Sequence, residues 1–237
     1  MGIELVEGRD LLVHDHHVYL RATTGLEPVH VIYRRVDDDF LDPTVFRSDS
    51  SLGVAGLFDA YRAGNVTIVN AIGNGLVDNK VTCRFVPEAI RYFLGEEPII
   101  PNVETYIGAV PSDLEFMLAN LGDLVIKPTN ASGGYGIVIG RQASAADLQA
   151  AREKLRANPG GYIAQPLQEF STVPSFDGER LEPRRADLRP FVVTGASSWV
   201  LPGGLTRVAA DSTSYIVNSS QGGGSKDTWV VRPPRDG

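Results

Sequence analysis

Among 237 residues there is one cysteine, Cys83, which excludes an intramolecular disulfide. No apolar run approaches the roughly 18 residues that a membrane-spanning helix needs. The opening M-G-I-E-L-V-E-G-R-D has acids where a secretion signal needs basic and then apolar residues. Positive charge is also scarce: 22 Lys and Arg stand against 29 Asp and Glu, a net charge of -7. Arg34-Arg35 and Arg184-Arg185 are too short to form the basic face of a nucleic-acid binder. These absences predict a cytoplasmic protein that meets neither membrane nor nucleic acid. With 43% hydrophobic residues, the chain can still bury a sizeable core, as one large domain or two small ones.

Several phosphate-binding signatures are missing too. G-x-x-x-x-G-K-[ST] does not occur, and G-G-G-S-K-D-T at Gly222 to Thr228 has the wrong spacing. A dinucleotide fingerprint needs a helix after its glycines, but Ile137 to Ile139 reads as strand. A protein kinase places its glycine loop before its lysine. No motif argues for a Ser-His-Asp order.

What is present is D-L-V-I-K-P-T-N-A-S-G-G-Y-G-I-V-I-G, from Asp123 to Gly140. It reads as strand, lysine, glycine-rich loop, strand. Lys127 ends the first strand; Ser132, Gly133, Gly134 and Gly136 form a loop whose amides can close on an anion. A cation ahead of such a loop suits the phosphates of ATP. A hairpin with a glycine turn and an exposed lysine is the plainer alternative.

Around this motif the pattern predicts an α+β chain. Leu11 to Val13 and Val18 to Leu20 flank H-D-H-H, read as a solvated hairpin tip rather than a metal tract. Val29 to Tyr33 and Val66 to Val69 are strands. Helices are predicted over Leu52 to Ala63, Val86 to Leu94, Asp113 to Leu121 with Ser112 as N-cap, and Ala145 to Ala157. Tyr162 to Gln165 is a strand and Phe170 to Arg185 a polar loop. Leu188 to Thr194, Trp199 to Leu201 and Tyr215 to Val217 are strands, and the R-P-P-R-D-G tail is expected to be disordered. Cys83, Trp199 and Trp229 are expected to be packed inside.

Two further clusters carry chemistry. Arg189, Arg207 and Asn218, on or beside neighbouring strands, would make an anion-recognising surface, since arginine grips phosphate or carboxylate oxygens bidentately; surface salt bridges are the alternative. Y-R-R-V-D-D-D-F-L-D-P at Tyr33 to Pro43 and F-R-S-D-S-S-L-G at Phe46 to Gly53 place Arg35 with Asp37, and Asp49 with Ser51, on common faces if extended. Two carboxylates and a neutral oxygen suit Mg²⁺; a turn rich in acids is the alternative.

These strings, with G-N-V-T-I-V-N-A-I-G-N-G, D-L-R-P-F-V-V, L-P-G-G-L-T-R-V and N-S-S-Q-G-G-G-S-K-D-T-W, resemble the circularly permuted ATP-grasp family (type 2), related to glutathionylspermidine synthase and to ATP-grasp carboxylate–amine ligases. The likeness runs from about His30 to Val231. It implies an ATP-grasp fold with permuted order, because the carboxylate segment precedes the lysine and glycine flap instead of following them. It also implies ATP and Mg²⁺, an acyl-phosphate intermediate, and small-molecule or peptide carboxylate and amine (or thiol) substrates.

Carried over residue by residue, the resemblance makes Asp37, Asp49 and Ser51 metal ligands, although the superfamily usually has glutamate and asparagine at the last two. Lys127 and Lys80 would hold nucleotide phosphates, with Ser132, Gly133, Gly134 and Gly136 as the flap. Gln165 and Leu167 lie in the hinge strand that meets the adenine. Arg189 would bind the nucleotide. Arg35, Arg207 and Asn218 would act on phosphates or the acyl phosphate. The segments implied are 1–112 for the metal carboxylates and supporting core, 113–165 for the lid, and 166–237 for the hinge and arginine strands. Part of the family's N-terminal region is expected to be missing, which leaves open an excised domain, a natural fragment, or one half of a split enzyme whose partner chain supplies that region. A nucleotide-binding half without catalysis and a phosphotransferase are the alternatives to a ligase.

Overall fold

The computed structural model describes residues 3–131, 133–218 and 222–231. The chain divides into two compact units, Met1–Thr82 and Cys83–Gly237.

The first unit opens with an antiparallel meander of β1 (Leu11–His14), β2 (His17–Ala22) and β3 (Gly25–Val29). The tip between β1 and β2 is Asp15-His16, both left-handed, with the His17 ring nitrogen hydrogen-bonded to the Asp15 carbonyl. It is the solvated turn that the sequence predicts. β4 (Val31–Tyr33) and β5 (Thr67–Val69) form a parallel pair, with α1 (Asp38–Leu41) and α2 (Leu57–Arg62) between them in sequence. Leu11, Val18, Leu41, Val54, Leu57, Ala60, Val66 and Ile68 form the core. α3 (Gly75–Asp78) follows.

The helix expected from Leu52 starts only at Leu57. Gly53 packs directly on the carbonyls of Phe40 and Leu41, and Gly56 sits at φ 82°, a conformation that a side chain disfavours. Gly56 also offers α2 no capping side chain. Asp42, fully buried, takes that role from a distance: its Oδ2 accepts the Phe58 amide at 2.9 Å.

In the second unit, α4 (Thr82–Leu94) begins four residues earlier than predicted, so Pro87 lies inside it. A proline there cannot bond the carbonyl four residues back. That carbonyl belongs to Cys83 and instead accepts the Asn102 side-chain amide. The Cys83 residue itself is exposed, against the expectation of burial. α5 (Pro111–Ala119) starts two residues earlier than predicted, with Pro111 at its first turn and no cap from Ser112. Asp113 turns away to accept the Ile107 amide at 2.9 Å. α6 (Ala145–Ala157) matches its predicted bounds, with Ser144 and Asp147 forming a capping box.

β6 (Tyr106–Ile107), β9 (Tyr162–Pro166), β7 (Leu124–Pro128) and β8 (Val138–Ile139) form one antiparallel sheet in that order. Leu124, Ile126 and Ala164 point into a core with Met117 of α5 and Leu155 of α6. By the two-residue period of strands, Lys127, Ile163 and Gln165 belong to the opposite face.

A second sheet has the order β10 (Thr172–Phe176), β11 (Leu181–Thr194), β12 (Ser198–Val208), β13 (Gly224–Asp227). The predicted polar loop over Phe170 to Arg185 is thus largely a hairpin. Its two prolines, Pro174 and Pro183, face each other, and Asp177 closes its tip on the amides of Glu179 and Arg180. Tyr215 to Val217 is not a strand; β13 takes the edge beside β12. Beyond Pro190 the β11–β12 hairpin continues as a two-stranded ribbon with Phe191, Val192, Val193, Trp199 and Val200 all exposed. Trp199 and Trp229 are 55% and 83% exposed, so neither is the packing residue expected. The tail at 232–237 lies outside the described residues.

Candidate nucleotide site

Lys127 is half-buried at the end of β7, and its ammonium donates to Gln165 Oε1 at 2.7 Å. The antiparallel register sets Lys127 opposite Ile163 and diagonal to Gln165. On the far side of β9, Gln165 Nε2 donates to Thr105 Oγ1 at 2.8 Å. Thr105 is buried, and its carbonyl accepts from Arg84 at 2.7 Å. Arg84 also pairs with Asp113 at 3.2 Å. Ile107, Val125 and Ile163 are buried on the same face as Lys127 by strand period, which makes an apolar surround for one cation. On the helix-facing side, Tyr106 stacks on Phe116. Burial, helped by Glu104 and Asp113, pushes its phenol above the ordinary value.

The β7–β8 connection carries the glycines. Gly133, Gly134 and Gly136 have φ of 71°, 81° and 72°, and Gly136 packs on the Pro128 ring. Left-handed positions that alternate with right-handed ones turn neighbouring amides toward one side in an anion nest, and glycine takes the left-handed ones freely. Ser132 lies outside the described residues. Gln165 is the penultimate residue of β9, and Leu167 directly follows the strand.

The second sheet assembles the predicted arginines. Asp187 and Arg207 face each other across β11 and β12. Asp187 Oδ2 accepts from Arg189 at 3.0 Å, and Arg207 donates to Asn218 Oδ1 at 3.3 Å. Asn218 is set in turn by the Gly223 amide, which donates to its carbonyl at 3.0 Å. Among the described residues, Asp187 Oδ1 and Arg207 Nε are buried without a hydrogen-bond partner. Buried polar atoms left so cost stability, and an acceptor and a donor so placed suit a polar ligand. Nearby, Arg185 stacks over Tyr215 at 3.6 Å and pairs with Glu169, a brace the sequence did not reveal.

The acidic segment of the first unit is organised by Arg34, not by its neighbour Arg35. Arg34 is 7% exposed. Its guanidinium donates to the carbonyls of Asn70, Val36 and Ala71 and to Asn74 Oδ1, and it pairs with Asp38 at 2.5 Å. Arg35 and Asp37 are exposed, just beyond β4, and Asp37 is the N-cap residue of α1. Asp49 is exposed, and both its oxygens accept from Arg47, at 3.0 and 2.8 Å. That arginine holds its carboxyl below the ordinary value. Ser51 is exposed nearby in sequence. Among the described residues no group of three or more His, Cys, Asp or Glu is arranged to hold a metal. Lys80 is half-buried between α3 and α4.

The sequence model of the family described as circularly permuted ATP-grasp type 2 matches residues 1–209. The chain belongs to that family. An uncharacterized protein of Mycobacterium tuberculosis (strain ATCC 25618 / H37Rv) is 56% identical over 234 residues, covering 98% of this chain and 42% of the relative. An uncharacterized protein of Synechocystis (strain PCC 6803) is 51% identical over 233 residues, 98% of this chain and 48% of the relative. A Frankia alni protein named "Putative glutamate--cysteine ligase 2-3" is 45% identical over 232 residues, 98% of this chain and 27% of the relative. The ATP-grasp chain therefore spans less than half the length of these relatives. Among its described residues no helix is long and apolar enough to cross a membrane.

Proposed function

We propose that the chain binds ATP through its second unit, as the nucleotide-handling part of an ATP- and Mg²⁺-dependent carboxylate–amine (or thiol) ligase with permuted element order. One observation carries this reading: the Lys127 ammonium stands on an apolar sheet face, held by the neutral Gln165 oxygen, and a turn of left-handed glycines follows it in the same hairpin. Family membership supports it, as does the ligase name of the Frankia alni relative.

In this reading Lys127 and the flap of Ser132, Gly133, Gly134 and Gly136 hold the phosphates. The backbone of Gln165 and Leu167 meets the adenine, and Arg189 supports the nucleotide. In the first unit, Asp37, Asp49 and Ser51 offer hard oxygens of the kind Mg²⁺ takes. A substrate carboxylate oxygen attacks the γ-phosphorus, and the bond to ADP breaks. The amine then attacks the acyl carbon, an amide forms, and phosphate leaves as the amine loses a proton. Arg207 and Asn218 stabilise the negative charge that develops, so positioning and neutralisation replace a protein nucleophile.

A second reading is a nucleotide-binding half that is inactive by itself. The span of less than half the relatives' length favours it. Calorimetric titration with ATP and Mg²⁺, beside Lys127→Ala, tests the common part. Saturable binding lost in the variant supports a nucleotide site; no binding by folded wild type sinks it. Release of ADP and phosphate with an amide product then separates ligase from binding half.

A further inference from the structure

In chain order the β6–β9–β7–β8 sheet is complete at β9, and the second sheet begins at β10. Among the described strands the chain therefore crosses between the two sheets once, through residues 167–171. Two packed bodies joined by one short link can hinge there unless side chains hold them together. Glu169 sits in that link. Its Oε1 accepts from the Tyr215 hydroxyl at 3.1 Å and lies 3.8 Å from the Arg141 guanidinium. Its Oε2 lies 3.5 Å from Arg185. One carboxylate thus meets side chains from both bodies.

Each side of this contact is fixed to its own sheet. Arg141 belongs to the Gly140–Gln142 turn that follows β8. Gly140 is buried against the Leu121 carbonyl so closely that no side chain would fit, which ties the turn to the first sheet. On the other side Arg185, in β11, donates to the carbonyls of Ser212 and Ser214 and stacks on Tyr215. Asp211 closes the same loop on the amides of Thr213 and Ser214. The loop leads to Asn218, which accepts from Arg207. A second tie runs beside Glu169: Gln142 Nε2 donates to the Thr213 carbonyl at 3.3 Å. The Arg141 and Glu169 side chains are 57% and 59% exposed, so their pair holds lightly and salt screens it. Contacts of this strength open and close without unfolding either sheet.

We infer that Glu169 is a hinge pin: it holds the Gly140–Gln142 turn of the first sheet against the 211–215 loop of the second, so that release of the turn loosens the loop that carries Asn218 to Arg207. The competing account is local, with Glu169 only neutralising Arg185. The two accounts differ in what a change in the turn does to the loop across the contact. Neither depends on the nucleotide reading above.

Hydrogen–deuterium exchange of the full chain, read by mass spectrometry without ligand, tests the pin. Folding of each variant is checked by circular dichroism and melting temperature. The double variant Arg141→Ala, Gln142→Ala changes nothing within the loop, yet should speed exchange of amides 211–217 about threefold. Glu169→Gln keeps the size of the side chain and loses its charge. It should speed exchange about fivefold in 211–217 and in 140–143 together. NaCl at about 1 M should bring wild type toward the Glu169→Gln rates and leave that variant unchanged; a role in packing alone would not follow salt. Amides of α6 serve as the reference and should not change.

If Glu169→Gln speeds exchange only at 167–171, and the double variant leaves 211–217 at wild-type rates, Glu169 is a local neutraliser and the pin is wrong. Should Glu169→Gln speed every segment, α6 included, it has destabilised the whole unit, and the double variant alone decides. Affinity for Mg-ATP, measured beside, keeps the two readings apart. A wild type that fails to bind ATP sinks the nucleotide site, while the exchange result still decides for or against the pin.

Discussion

Asp42 Oδ2 accepts the amide of Phe58, sixteen residues further on, at 2.9 Å, and so caps a helix whose own N-cap is a glycine. The other oxygen accepts from the Thr44 amide and hydroxyl. Burial pushes this carboxyl up, but the bonds from Thr44, Phe58 and Gly56 outweigh it, so it sits below its ordinary value. A depressed carboxylate stabilises the fold above its unfolded value of about 3.9, and that contribution disappears as pH falls through the folded value. Asp42→Asn should therefore cost ~2 kcal/mol at neutral pH and flatten the acid limb of the stability profile. Urea melts from pH 7 to pH 3 would measure both, and parallel profiles for the two proteins would refute the assignment.

Arg34 and Arg35 are neighbours with opposite fates. Arg34→Lys keeps the charge but loses the planar fork that reaches three carbonyls, so ~3 kcal/mol of stability should go. Arg35→Ala should leave the unfolding free energy within ~0.5 kcal/mol of wild type. Equal effects in thermal or urea denaturation would contradict the buried hub.

Gly134 has φ 81°. Gly134→Ala should cost ~1 kcal/mol through backbone strain and weaken Mg-ATP binding more than its loss of stability explains. Calorimetry beside a melt reads both. An alanine variant binding like wild type would remove the flap from the proposed nucleotide site.

Arg47 competes for Asp49 with any cation held there. If Asp49 is a Mg²⁺ ligand, Arg47→Ala should raise Mg²⁺ affinity severalfold and let the Asp49 carboxyl rise toward its ordinary value. Asp49→Asn should lower Mg²⁺ affinity. Titration of ATP binding against Mg²⁺ concentration distinguishes this from the reverse order, which would make the pair a surface ion pair only.

Local chemistry was readable before the fold was seen. The bounds of α6 follow from its sequence pattern, and an apolar run ending in Lys127 before three glycines marks β7 and its turn. Burial at a distance was not. Nothing in D-P-T shows that Asp42 caps a helix begun at Leu57, and nothing in E-T-Y shows that Thr105 ends a chain from Lys127. Pro87 hid the start of α4, because the side chain that takes over the released Cys83 carbonyl, Asn102, lies outside the helix. Pro174 and Pro183 each argue against a strand when read singly, but placed opposite one another they leave no amide unpaired between them. Arg189 and Arg207 were legible as residue types; that Asp187 faces Arg207 depends on strand register.

The ribbon beyond Pro190 has no inside. Val192 faces Val200 and Val193 faces Trp199, and these side chains are exposed on both of its surfaces. A two-stranded element of this kind is adhesive, since apolar faces and open strand edges both favour contact with another copy. The net charge of -7 keeps molecules apart at low ionic strength, and added salt screens that repulsion while leaving the apolar attraction intact. Handling the chain is thus a matter of ionic strength: dilute buffer should favour dispersed molecules, and concentrated salt should bring ribbons together.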